Sequence, residues 1–162
     1  FLSLDTNYHH RIALHHSRVK PTWVTPSPSG KELYIAGNGS NKIFIVDVQE
    51  WKVKKTIETG EGPYNIAATP DGKHIITTLK TEGAGSIWSL DKGKQISKIK
   101  TSTQIPHGVV ISPDNKYAFV SVEGVGGESG KVDVISLEEL ELVDSAEVGK
   151  QAGGIAFWKI AD

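Results

Sequence analysis

The chain has 162 residues, no cysteine, and a formal net charge of −1 from 18 basic and 19 acidic residues. This balance, without a basic tract, argues against nucleic-acid binding. The lack of cysteine excludes disulfides, thiolate catalysis and zinc–cysteine sites. No stretch approaches the roughly 20 apolar residues that a membrane-spanning helix needs. Because the chain opens at Phe1 and contains no methionine, we expect it to begin within a longer or processed protein.

A repeat of about 42 residues organises the chain. Each unit contains a turn of the type Pro-Asp-Gly-Lys and a second proline seven residues before that turn; the turns are Pro28–Lys31, Pro70–Lys73 and Pro113–Lys116, and the earlier prolines are Pro21, Pro63 and Pro106. Four short runs rich in Ile, Val and aromatic residues follow one another in each unit. The repeat therefore predicts an all-β chain of about three and a half four-stranded propeller blades.

The first element in chain order is a half-blade. Residues 1–19 are predicted to form the second half of a truncated blade, with its third strand at Phe1–Leu4 and its fourth at Arg11–Leu14. The spacing from Asp5 to Pro21 matches the spacing at the same place in the next unit, which sets this register.

Whole blades and one last strand follow this half-blade. The whole blades are predicted at residues 20–61, 62–104 and 105–150. Residues 151–162 are predicted to supply the innermost strand of a ring-closing blade, because Gly153–Trp158 aligns with the first run of each earlier unit. The segment Leu137–Leu142 is rich in Glu and Leu. It is interpreted as a turn and a strand rather than a helix, because the corresponding segments of the other units have that pattern.

These units resemble YVTN-type propeller repeats. The best match runs through Pro28–Lys31, Leu33–Asn38, Ile43–Asp47, Thr56–Ile57, Gly60 and Pro63. The second unit departs from the pattern at Leu79–Glu82, and the third carries an expanded loop at Glu123–Gly130. The resemblance implies a seven-bladed ring in a periplasmic, cell-surface or extracellular protein, related to lactonase-like propellers and to the haem-d1 domain of nitrite reductases. No catalytic residue of these relatives maps onto this chain.

An incomplete arc of blades leaves apolar sheet faces without neighbours. We therefore expect the remaining propeller blades to be its partner, supplied either by an N-terminal half of the same protein or by a second chain. A small ligand or a peptide is a further expected partner. The sequence does not identify a cofactor.

Ligand-binding residues are predicted at one mouth of the central channel. In a propeller, the links between blades and the loops between second and third strands meet there, so that every blade contributes side chains near the axis. The candidates are Trp23, Tyr64, Asn65, His107 and Glu123. His107 titrates near neutral pH and could serve as an acid, a base or a ligand, although capping of a neighbouring backbone group is the structural alternative. Trp23 and Tyr64 could stack on a ligand or fill space between blades.

Two other groups of residues could bind a metal ion. Glu82, Glu123 and Glu128 could complete an oxygen-rich site with His107, but a solvated loop is favoured. The pairs His9–His10 and His15–His16 could bind a divalent metal, but adjacent residues of a strand point to opposite faces, which favours a surface or interface role.

The function predicted from these residues is a non-catalytic ligand-binding or scaffold module that binds at the channel mouth. No serine stands in a nucleophile elbow, and the glycine-rich loop at 124–127 leads into a strand rather than a helix, so it is not a nucleotide loop. The alternative is a propeller enzyme, lactonase-like or of the haem-d1 type, with a site that includes His107.

Overall fold

The computed structural model describes residues 18–159. They form twelve strands: β1 (Pro21–Pro26), β2 (Glu32–Gly37), β3 (Lys42–Asp47), β4 (Lys52–Glu58), β5 (Pro63–Ala68), β6 (His74–Leu79), β7 (Ala84–Ser89), β8 (Lys94–Lys100), β9 (Ile105–Ile111), β10 (Tyr117–Glu123), β11 (Lys131–Ser136) and β12 (Glu141–Glu147). Within the described residues the only helix is a 3-10 turn at Asn38–Ser40, so no described helix is of a length or hydropathy that would cross a bilayer.

The strands form three antiparallel four-stranded sheets, β1–β4, β5–β8 and β9–β12, each ordered as in the chain. Sequential antiparallel pairing is what four short strands joined by tight turns produce. The predicted all-β arrangement of four-stranded blades is confirmed. Each predicted whole-blade range contains one of these sheets.

The three sheets pack face to face in an arc, called the fan arrangement below. Their innermost strands β1, β5 and β9 are neighbours, and apolar side chains fill the spaces between sheets. The first space is filled by Tyr34, Ala36, Ile43, Ile45, Ile57, Ile66 and Ile75, and the second by Ile76, Ile87, Ile99, Val109, Ala118, Val120, Val122 and Ile135. Because the middle sheet is covered on both faces, β6 is buried along almost its whole length instead of alternating.

The Pro-Asp-Gly-Lys turn between the first and second strands is built around a hydroxyl group. In the second blade, Thr69 Oγ1 donates to Asp71 Oδ1 at 2.6 Å and accepts from the backbone N–H of His74 at 2.9 Å. Asp71 also accepts from Lys73 N at 3.0 Å. Gly72 has φ 71°, a left-handed conformation that glycine adopts without strain. Ser112 and Asp114 repeat the hydroxyl–carboxylate contact in the third blade at 2.6 Å.

The two ends of the chain differ from the whole blades. The predicted strands at Phe1–Leu4 and Arg11–Leu14 lie outside the described residues and stay predictions. Residues 151–159 form no strand, in contrast to the predicted innermost strand. A strand requires a ladder of backbone hydrogen bonds with a neighbour, and none of the described strands pairs with this segment.

Replacing Thr69 with valine is expected to destabilise the fold, because the backbone groups of His74 would lose the hydroxyl in a buried turn. The expected loss is about 1–3 kcal/mol in the free energy of unfolding, measured by urea denaturation. Thr56→Val, the same substitution at an exposed position of β4, is the control and should leave the midpoint nearly unchanged. Equal midpoints for Thr69→Val and the parent chain would contradict this account of the turn.

Candidate functional site

One end of the arc brings together the links between blades and the loops between second and third strands. The backbone N–H of Gly62, in the first link, donates to Asn41 Oδ1 at 3.0 Å. In the next blade Thr101 N donates to Gly83 O at 3.1 Å. These contacts join each link to the neighbouring loop, and this end of the arc is called the mouth below.

Each innermost strand is irregular directly after its link proline. The pairing register shifts at Thr22 in the first sheet, at Tyr64 and Asn65 in the second, and at His107 and Gly108 in the third. A bulge bends a strand and redirects the side chains at that point. Three of the predicted binding residues, Tyr64, Asn65 and His107, therefore lie at bulges rather than in regular pairing.

Tyr64, Lys80, His107 and Glu123 form a closed group that we call the mouth cluster. The rings of Tyr64 and His107 have centroids 4.5 Å apart, at an interplanar angle of 58°. Glu123 Oε1 lies 3.4 Å from His107 Nε2 and 3.3 Å from Lys80 Nζ. The Lys80 ammonium also stands 4.6 Å from the Tyr64 ring centroid, within cation–π range. The structure thus brings three of the predicted residues into one cluster, and it adds Lys80.

Hydroxyl groups of the second strands hold these bulges in place. Thr78 Oγ1 accepts from Asn65 N at 3.0 Å and donates to the carbonyl of His107 in the next blade at 2.9 Å. Ser121 does the same one blade on, accepting from Gly108 N at 2.9 Å and donating to Gly153 O at 2.8 Å. Because a bulge removes backbone groups from the ladder, such partners satisfy them.

A groove runs along the innermost strands below the mouth. It encloses about 690 Å³ and is lined by β1, β5, β9 and residues of the 153–157 segment. Trp23, Asn65 and His107 line it, whereas Tyr64 and Glu123 do not. Trp23 is 48% exposed, so its indole is available to a ligand. The remaining wall is largely aliphatic, which suits an apolar ligand with few polar groups.

The environment of His107 favours the neutral imidazole. Burial lowers its pKa below the ordinary 6.5, and the positive charge of Lys80 lowers it further; Glu123 and the backbone of Gly153 oppose this shift. The contact with Glu123 also orients the ring. The neutral imidazole carries one N–H and one acceptor nitrogen, and its Nε2 faces Glu123.

Glu82, a second candidate metal ligand, has other partners than His107. Glu82 bonds to Lys98 Nζ at 2.6 Å and to the backbone N–H of Glu61, which ties a loop to a link. Across residues 18–159 no group of three or more His, Asp or Glu side chains could hold a metal ion. The pairs His9–His10 and His15–His16 lie outside the described residues.

Sequence reasoning missed Lys80 and Thr78. Thr78 lies at the mouth end of β6, and Lys80 follows that strand within the Leu79–Glu82 departure from the repeat pattern. A lysine there carried no signal on its own, since long cationic side chains are ordinarily solvated. Thr78 could have been found as one of two hydroxyl residues, with Ser121, at equivalent places in consecutive second strands.

In sequence, the chain is similar to part of a longer protein. No protein-family model matches the chain. It is 30% identical to Antigen Lp49 of Leptospira interrogans serogroup Icterohaemorrhagiae over 58% of its own length and 26% of that protein. The chain therefore spans about a quarter of that relative.

Solved β-propellers superpose on the chain. A Kuenenia stuttgartiensis hydrazine synthase chain matches with a TM-score of 0.77 and 26% identity, over 90% of this chain and 40% of that one. A structure of U3-55K matches with a TM-score of 0.75 at 13% identity, over 88% and 43% of the two chains. The WD40 repeats of RRP9 match with a TM-score of 0.74 at 14% identity, over 88% and 42%. The chain is a fragment of β-propeller blades, and this fold supports a binding or scaffold module.

Variants of the mouth cluster are expected to move the pKa of His107 in opposite directions. Lys80→Gln removes a repelling positive charge and should raise it, whereas Glu123→Gln removes an attracting negative charge and should lower it further. NMR titration of the imidazole protons measures both. Lys73→Gln, on a turn at the far end of the strands, is the control. A shift in the same direction for both cluster variants would contradict the described geometry.

Because the folded pKa of His107 is lowered, the unfolded chain binds the proton more readily. The free energy of unfolding should therefore be fully retained above about pH 6.5 and fall as the pH drops from there through the folded pKa. Urea denaturation as a function of pH tests this. The His107→Gln variant should lose this part of the pH dependence; an unchanged profile would show that His107 does not cause it.

Proposed function

We propose that the chain is a ligand-binding module of an exported β-propeller protein and that its ligand binds at the mouth and the adjoining groove. The observation that carries this proposal is that Tyr64 and His107, both at bulges, meet Glu123 beside a groove that is lined by Trp23, Asn65 and His107. Bulges are costly interruptions of a sheet and are enriched near binding sites. The groove volume of about 690 Å³ lies in the range typical of small-molecule pockets.

The chemistry of the groove favours an aromatic or aliphatic ligand with a few hydrogen-bonding groups. Trp23 offers an exposed ring face for stacking. The Asn65 side chain offers both a donor and an acceptor, while its backbone is held by Thr77 and Thr78. His107, oriented by Glu123, offers a hydrogen bond at the mouth. A short peptide with an aromatic side chain would meet the same requirements.

Further blades are the proposed partner of the third sheet. Its outward face carries Phe119 and Val134, which pair across β10 and β11, and Tyr117 at 40% exposure. Within the described residues, Phe157 lies 6.4 Å from Phe119 between ring centroids. The spaces between the three sheets are each filled by apolar side chains from both neighbours, so a fourth blade of the same kind is the matching cover. This chain spans 26% of the Leptospira antigen and 40% of the hydrazine synthase chain. Both proteins are therefore long enough to contain further blades.

Location outside the cytoplasm is part of the proposal. It is supported by the likeness to a protein named an antigen in Leptospira interrogans. The lack of cysteine is compatible with an oxidising compartment.

Binding in the groove can be tested with 8-anilinonaphthalene-1-sulfonate, an aromatic probe that fluoresces in apolar sites. We expect saturable binding that Trp23→Ala and His107→Ala each weaken by about tenfold, as expected for loss of one stacking or hydrogen-bonding contact. Tyr117→Ala, on the exposed face of the third sheet, is the control and should not weaken binding. Loss of binding in the control alone, with the groove variants unchanged, would move the site to the sheet face and contradict the proposal.

The partner can be tested by native mass spectrometry of the protein isolated from its source. We expect a mass well above that of 162 residues, either in one polypeptide or in a complex. A native mass of this chain alone would contradict the expectation that further blades cover the third sheet.

A further inference from the structure

A second cavity lies between the first and second sheets, at the end opposite the mouth. It encloses about 410 Å³ and is called the inter-blade cleft below. Its walls come from the β1–β2 turn, from Tyr34 and Ile45, from Lys54 and Lys55 of β4, and from the turn at Asp71 and Gly72. A bulge at Lys54, between β3 and β4, lets two consecutive lysines line the same cavity.

The repeat offers an internal comparison, because an equivalent place exists between the second and third sheets. There the equivalents of Tyr34 and Lys54 are Ile76 and Ile96, both of which belong to or pack on an apolar core. Leu140 of the third blade also packs on that core. At the end opposite the mouth, the second space is thus closed by aliphatic side chains, whereas the first keeps a cavity lined by the exposed side chains of Lys54 and Lys55.

Gly93, between β7 and β8, lies next to the Lys55 side chain that lines the cleft. It occupies the position that Leu140 occupies one blade later, and both have a positive φ, of 61° and 60°. A Cβ atom added to Gly93 would lie 3.1 Å from Lys55 Nζ. The ammonium of Lys55 therefore stands where a leucine side chain begins in the neighbouring blade.

The charges of the cleft leave Lys55 without an ion-pair partner. Glu32 Oε1 is bound by Lys54 Nζ at 2.7 Å. Asp71 is engaged by its own turn, with Lys73 Nζ at 3.6 Å. No carboxylate of residues 18–159 lies within ion-pair distance of Lys55. A cation beside a cavity attracts an anionic group.

Tyr34 adds a directed donor. Its side chain is almost fully buried, and its hydroxyl donates to Glu32 Oε2 at 3.5 Å, a long contact that a bound anion would have to replace. Burial, the charge of Glu32 and the hydrogen bond to it raise the pKa of Tyr34 to about 12, so the hydroxyl stays protonated and remains a donor.

We propose that the inter-blade cleft binds a small molecule that carries a carboxylate or phosphate group, with Lys55 as the countercharge and Tyr34 as a hydrogen-bond donor. This site is separate from the mouth and does not depend on it. The two sources of the anionic group share the same recognition chemistry, since an ammonium binds either as a point charge.

The proposal is tested by titrating the full chain with inorganic phosphate and, separately, with acetate while amide chemical shifts are followed by NMR. We expect saturable shifts at Tyr34, Lys55 and Gly72 with at least one of the two anions, and the tighter anion identifies the group. Lys55→Ser, which introduces the residue found at equivalent position 97, should weaken binding by about tenfold. Lys52→Ser, with the same change of charge on the same strand outside the cleft, is the matched control and should have little effect.

A second variant displaces the Lys55 ammonium instead of removing its charge, because a side chain at Gly93 would meet Lys55 Nζ. Gly93→Leu copies the third blade, where Leu140 adopts the same backbone conformation, and should abolish the saturable shifts while the circular dichroism spectrum stays that of the parent. Shifts that stay linear with both anions, or that are equal in the parent, Lys55→Ser and Gly93→Leu chains, would overturn the proposal. If Gly93→Leu fails to fold, the comparison of Lys55→Ser with Lys52→Ser still decides.

Discussion

The structure depends on sheets that cover one another. A single four-stranded sheet in this chain has apolar side chains on both faces, and neither face can be left in water without a cost proportional to its area. The fan arrangement removes this cost for the middle sheet, which is packed between two neighbours. The same constraint explains why β6 shows little of the alternation expected of a strand with one exposed face.

The contact between blades is apolar over most of its area and polar towards both ends. At the mouth, each innermost strand bulges, and the bulge leaves backbone groups outside the ladder. Thr78 and Ser121 satisfy these groups and extend the contact to the carbonyl of the following blade. The first blade has Ala36 at that position, and there Thr22 donates to Tyr64 O at 2.7 Å instead. The requirement for a partner is therefore constant, while the residue that meets it changes.

Departures from the repeat mark the two cavities. The mouth cluster consists of two pairs of equivalent positions from consecutive blades, Tyr64 with His107 and Lys80 with Glu123, at which the two blades carry different residues. The inter-blade cleft is lined by Tyr34 and Lys54, whose equivalents in the next space, Ile76 and Ile96, belong to or pack on an apolar core. In a repeat protein the shared positions maintain packing between units, whereas unit-specific positions are free to form sites.

The sequence by itself determined the repeat, the four-stranded units and the positions of their turns. These features are local: a proline, a left-handed glycine or asparagine and a run of β-branched residues each act within a few positions of themselves. The link prolines also marked where Tyr64, Asn65 and His107 would stand near the mouth.

Only the tertiary structure decided which side chains meet. The Lys80–Glu123 pair spans two blades, and so does the Thr78–His107 contact; the distance between such residues depends on how sheets pack and not on their spacing in the chain. The inter-blade cleft could not be read from the sequence either, because a cavity is a mismatch between two packed surfaces. For the same reason the final segment aligned with a strand in sequence but formed none, since a strand exists only with a partner beside it.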